Sequence, residues 1–214
     1  MDILKESAPK KAVIGKSKRY RVIIKYKVLR EVIYIKIVHL LACLFTLIPI
    51  IVDAISVDEL RANPSRYQLV FSDAREDEYV DNASISVVRY PPPYYTINAI
   101  AYAVTYNTSA ITKYENTYFL DYNRSFKSLV GHFSNRDALF NSMKNNSGIK
   151  WRMNGMTIYN LDGSIKYPYM YIDPLEVDST QESALFSPSY QSANYVFYKS
   201  YNMYFNPPIK NQTF

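Results

Sequence analysis

The chain has 214 residues, 48% hydrophobic and 21% charged, with a single cysteine and a formal net charge of +6. That length can bury an ordinary core, and one cysteine excludes a disulfide framework. The charge is uneven: residues 1–54 carry 11 Lys and Arg against 4 Asp and Glu, a local +7, whereas residues 55–214 carry 14 against 15, a local −1. A near-neutral body argues against nucleic acid as partner.

Residues 1–54 read as a basic leader followed by an apolar run from Ile37 to Val52, with Pro49 as a helix breaker and Val52-Asp53-Ala54 as a cleavage box. This order predicts an export signal cut at Ala54, or a retained anchor that touches the membrane through residues 33–52. "LLAC", ending at Cys43, also has the form of a lipidation box. Each version puts residues 55–214, one domain, outside the cytoplasm, in the periplasm or at the cell surface.

Residues 55–66 contain "NPS" and predict a turn or a brief helix, ahead of a strand over Tyr67–Ser72. The acidic "DAREDE" that follows reads as a solvated hairpin tip. Tyr79 and Val80 end a short strand, residues 81–84 turn the chain, and Ile85 to Tyr90 start another strand that Pro91, Pro92 and Pro93 interrupt.

Tyr95 to Asn107 carries the strongest strand signal. Alternation puts Ile97, Ala99, Ala101 and Ala103 on one face and Ile100, Tyr102, Val104 and Tyr106 on the other. The small face suits a helix. The tyrosine face is expected to be half exposed, with rings packed across strands and hydroxyls in water. Beyond a turn at "NTSA", a second alternating strand carries Tyr114, Tyr118, Leu120 and Tyr122 toward one side and closes a long hairpin.

"SNRDALFNSMKN" predicts a helix near 134–145, with Ser134 as N-cap and Asp137 completing an acidic capping box. Asp162-Gly163 marks a further hairpin turn. Ser187 and Pro188 open a closing helix near 188–204, whose Ala193, Val196, Phe197, Tyr201 and Tyr204 recur at helical spacing. The sum is an α+β fold: a small antiparallel sheet of about five to six strands with a helix near 134–145 and a C-terminal helix on one face.

Chemistry is sparse. Beyond the leader, His132 is the sole histidine, with no thiol to activate and no Gly-x-Ser-x-Gly elbow nearby. One histidine and no cysteine do not make a zinc site, "DAREDEYVD" lacks the glycine of a calcium loop, and no phosphate-cradling motif is present. No catalytic residue, metal or cofactor is therefore expected. Asp121 and Asp162 are the candidates for a paired-carboxylate site, which needs the two about 5–10 Å apart.

"EYVDNASI" (Glu78 to Ile85), "LDYNRSF" (Leu120 to Phe126) and "IYNLDGSI" (Ile158 to Ile165) give the stretch from Tyr67 to Tyr169 a pattern that resembles the bacterial surface-adhesin protein E-like domain. It is similar also to short signal-peptide proteins of Gram-negative Firmicutes. The resemblance implies a small antiparallel sheet with flanking helices, an envelope location and, for some members, a host extracellular-matrix ligand. Asp81, Ser84, Ile85, Asp121, Arg124, Asp162 and Gly163 carry the pattern, as turn and strand positions. The chain lacks that group's cysteines and adds the segment around "SNRDALFNSMKNNSG".

The function expected is that of an exported, non-enzymatic binding or adhesin-like module for a protein or glycan. Tyr90, Tyr94, Tyr95, Tyr102 and Tyr106 are its contact residues, since tyrosine offers a large apolar area and a polar tip at low rotamer cost. The alternatives are an envelope glycan hydrolase or inhibitor, and a membrane-tethered subunit of an envelope assembly.

Overall fold

The structure, a computed structural model, describes residues 54–173 and 180–208, together with residues 30, 33, 34 and 36, which are helical. The chain divides into two units, Met1–Val52 and Asp53–Phe214. The expected apolar run from Ile37 and Cys43 lie outside the described residues. Among the described residues no helix is long and apolar enough to cross a membrane.

Ser56 accepts a hydrogen bond from Glu59 N and caps a short helix, α1 (Val57–Ala62). Strands β1 (Tyr67–Ser72) and β2 (Glu76–Asp81) follow as a hairpin, then β3 (Ser86–Arg89), β4 (Tyr94–Thr105) and β5 (Ala110–Asp121). Helices α2 (Phe126–Leu129) and α3 (Arg136–Asn145) interrupt the sheet before β6 (Ile149–Asn160), β7 (Ile165–Tyr171) and β8 (Gln181–Glu182). The closing helix is α4 (Pro188–Tyr201).

All strands join one antiparallel sheet in the order β1-β2-β4-β5-β6-β7, with β3 beside β4 and β8 beside β6. The class is α+β, as its alternation and capping signals predict. Among the described residues there are eight strands where about five to six were expected. β2 and β3 share one edge of the long β4, and β7 and β8 share one edge of β6; β8, only two residues long, is the strand with no counterpart in the sequence reading.

Both faces carry a core. On one, Val70, Val80, Tyr95, Ile97, Ala99, Tyr118, Leu120 and Ile149 pack with Ala193, Val196 and Phe197 of α4, so the alanine face receives the closing helix. On the other, Ile55 and Leu60 cover Tyr67, Tyr79, Tyr102, Val104, Ile111 and Tyr159. The Asp162-Gly163 turn supports this lid: Val57 N donates to Leu161 O at 3.2 Å. Gly163, at φ +91°, lies so close to Ile55 that a Cβ would sit 3.3 Å from its backbone.

Several boundaries shift. The second hairpin strand ends at Asp121, not Tyr122, because the Asp121 carboxylate accepts from Asn123 N and starts a 3-10 turn. Asn135, not Ser134, caps α3, accepting from Ala138 N. The last helix stops at Tyr201 instead of 204, where Asn202 turns left-handed at φ 50°.

Candidate functional site

Alternate residues of a strand share a face, and paired residues of neighbouring strands share it too. Tyr94, Thr96 and Asn98 therefore lie on the same face as Tyr102, paired with Asp121, Phe119 and Thr117 of β5. Those in turn pair with Lys150 and Arg152 of β6. The N-terminal segment covers the half of this face around Tyr102 and Val104. The other half keeps Tyr94, Asn98 and Lys150 exposed, with Thr96, Phe119, Asp121, Arg152 and Asn154 half-buried.

This open half-face is ordered by a hydrogen-bond chain that crosses three strands. Thr117 Oγ1 donates to Asn98 Oδ1 at 2.8 Å, Asn154 Nδ2 donates to Thr117 Oγ1 at 2.9 Å, and Arg152 Nε donates to Asn154 Oδ1 at 3.2 Å. The Arg152 guanidinium also stands 5.7 Å from the Phe119 ring centroid. The amides and the guanidinium are thus held in place before any ligand arrives.

At one end, Arg89, Tyr94, Thr96, Phe119, Asp121, Lys150 and Glu182 border a shallow hollow of about 380 Å³. At the other end, Tyr169 lies across Gly155, where an added Cβ would come within 2.5 Å of its hydroxyl oxygen. The missing side chain lets the Tyr169 hydroxyl reach Glu115 Oε2 at 3.1 Å. Tyr171 pairs with Gly155 at the same edge and is exposed.

The five expected contact tyrosines do not form one patch. Tyr94 is on the open half-face, 52% exposed. Tyr90 is exposed beside the α4 side, packed against Tyr95 and Tyr201 at 6.0 and 5.4 Å. Tyr106 lies in the β4–β5 turn at the far end, where its hydroxyl donates to Asp77 and accepts from Arg61. Tyr95 and Tyr102, expected exposed, are buried at 4% and 3%. Tyr95 sits under α4, 5.1 Å from Phe197, and Tyr102 meets Tyr67 edge-on at 5.6 Å. Their positions are corrected for one reason: α4 and the N-terminal segment cover those parts of the sheet.

The residues that carry the sequence pattern sit at turns. Asp81 accepts from Ala83 N, Ser84 Oγ donates to Asp81 O and accepts from Ile100 N, and Ile85 packs on the α4 core. Arg124 donates to Ser142 O and Asn146 O at the end of α3, and Asp162 accepts from Ser164 N. Asp121 lies beside the start of β6, with its N–H bonded to Gly148 O, whereas Asp162 lies beyond the end of β6. The whole 12-residue strand separates the two carboxylates, a span of roughly 35 Å. They share no groove, so the paired-carboxylate reading fails on this pair.

The acidic "DAREDE" is not all solvated tip. Asp73 to Arg75 make the turn, while Asp77 and Glu78 are inside β2 and buried at 7% each. Glu78 faces α4, opposite Ala103, and accepts from Ser192 Oγ. Burial, opposed by that hydrogen bond, pushes its carboxyl up to about 7. The same apolar surroundings raise the Tyr118 phenol above its usual range. His132 is exposed, its Nδ1 2.8 Å from Ser128 O. Among the described residues no group of His, Cys, Asp and Glu could hold a metal ion.

Asn98, Thr117, Phe119, Arg152, Asn154, Tyr169 and Tyr171 are not among the contact residues expected from the sequence. Their signal is that polar and aromatic residues keep the parity of a face whose other half is apolar, which is visible only once strand register is known. Comparison with protein-family models, with curated proteins and with solved structures yields no match.

Proposed function

We propose that residues 55–214 form an exported, non-enzymatic binding module of the cell envelope, and that the open half-face of the sheet grips an extended peptide segment of a protein ligand. The observation that carries this reading is the Asn98–Thr117–Asn154–Arg152 hydrogen-bond chain, set between exposed aromatic rings on a half-face that no described element covers. Export is supported by the order of the first 54 residues, basic and then apolar.

The size of the patch favours a segment over a folded surface. From β3 to β7 and from Tyr94 to Ile100 it measures roughly 20 Å each way, about half the area a folded partner needs on one side. Charge favours a peptide over a neutral glycan: Arg89, Lys150 and Arg152 alternate with Glu115, Asp121 and Glu182, and a polypeptide offers both signs in return. Tyr94, Phe119 and Tyr169 serve as the aromatic anchors.

Screening the purified chain against immobilised short peptides of varied sequence, and in parallel against soluble oligosaccharides, tests this. Peptide capture that weakens by about tenfold or more in Phe119→Ala is the expected result. Capture of oligosaccharides alone would replace the peptide with a glycan, and capture of neither would remove the binding reading.

A further inference from the structure

A second cavity, separate from the open half-face, lies where α2 and α3 meet the start of α4 and the residues that follow it. It measures about 530 Å³, with Phe126, Phe133, Phe140, Phe186 and Tyr190 among its walls. That is within the range of small-molecule sites, and such a lining suits an apolar body.

Three observations point to a ligand. The first is Asn206, a cavity-lining side chain only 5% exposed. Its Oδ1 accepts from Phe126 N at 2.7 Å, which fixes the amide's orientation, and its Nδ2, near the Tyr190 phenol, has no well-formed hydrogen bond to a described residue. A buried donor left unsatisfied is costly, and a bound acceptor would relieve it. The second is Phe186, a bulky lining residue at φ 66° that is 39% exposed and packs between Phe140 and Tyr190. Left-handed backbone in such a residue marks strain held in place by its surroundings, and strain of this kind concentrates at binding sites. The third is charge. Among the described residues Arg136 is the one charged group of the lining, stacks its guanidinium 5.2 Å from the Phe140 ring centroid and makes no ion pair with any of them.

We propose that this cavity binds a fatty-acid-like carboxylate, its acyl chain among the phenylalanines and its carboxylate satisfied by Arg136 and the Asn206 amide. The volume accommodates a chain of about a dozen carbons. An uncharged lipid would leave the guanidinium unused, and a polar anion would waste the aromatic walls.

Calorimetric titration of the full chain with sodium dodecanoate, below its micelle-forming concentration, tests the proposal. Dodecan-1-ol is the uncharged control, and phosphatidylcholine vesicles report adsorption to a bilayer. Saturable uptake of one dodecanoate per chain is expected. Arg136→Met should weaken dodecanoate by about tenfold or more and leave dodecan-1-ol within about twofold. Val130→Trp, at a half-exposed cavity-lining position, should block both. Far-UV circular dichroism checks that each variant folds, and because Arg136 is itself exposed, the Arg136→Met pair decides alone if the tryptophan variant does not. The proposal is overturned by absence of saturable dodecanoate binding, by equal loss for acid and alcohol in Arg136→Met, by full binding in a folded Val130→Trp, or by uptake of vesicles alone.

Discussion

The Ser192 hydroxyl of α4 donates to the carboxyl of Glu78 on β2 across a residue separation of 114, inside the interface between the closing helix and the sheet. This joins the last helix to the second strand at a point sealed from water. Glu78 titrates near 7 against an ordinary value of 4.5, chiefly because burial disfavours its ionised form.

The sign of the resulting pH dependence follows from linkage. A carboxyl raised on folding stabilises the fold fully below about 4.5, and that contribution is lost as pH rises through about 7. The loss amounts to about 3 kcal/mol. Glu78→Gln, which keeps an acceptor for Ser192, should therefore unfold with a midpoint in urea that changes little between pH 5 and pH 8, while the wild type weakens over that interval. An unchanged pH dependence in the variant would show that another group is responsible.

Tyr94 and Tyr95 are neighbours in sequence with opposite fates. Tyr95→Ala removes a ring packed on Tyr122, Phe197 and Tyr201 and should cost about 3–4 kcal/mol. Tyr94→Ala removes an exposed ring and should cost under about 0.5 kcal/mol. Equilibrium unfolding of the two variants checks both values.

Gly155 holds open the place of Tyr169. Gly155→Ala should displace the Tyr169 ring, which is at the free end of an exposed side chain, and break its bond to Glu115 with a stability change under about 1 kcal/mol. Chemical shifts of the Tyr169 ring protons would report the displacement, and a ring left in place would contradict the packing described.

Much of the fold is legible in the sequence because its signals are local. The two-residue alternation from Ile97 to Val104, the Asp162-Gly163 turn and the Ser187-Pro188 helix start each need only a few neighbouring residues. Burial of Tyr95 and Tyr102 is not local, since it depends on α4 and Leu60, which reach the sheet from distant parts of the chain. The acidic run misleads for the same reason. Asp77 finds Arg61 and Tyr106, 16 and 29 residues away, and Glu78 finds Ser192. The open half-face shares this limit: Asn98, Thr117 and Asn154 become one feature only when β4, β5 and β6 are set in register.

The Asn98–Thr117–Asn154 chain supplies the sharpest comparison between binding and scaffold. Asn154→Ala leaves Thr117 without its donor and frees Arg152, whereas Tyr90→Ala alters an exposed ring away from that half-face. Affinity for a peptide captured by the wild-type chain, measured for these two variants with folding verified, tests the central claim. A weakening of about tenfold in Asn154→Ala, with Tyr90→Ala within about twofold of wild type, is the predicted result. Equal affinity for all three proteins, or loss confined to Tyr90→Ala, would place binding elsewhere on the molecule.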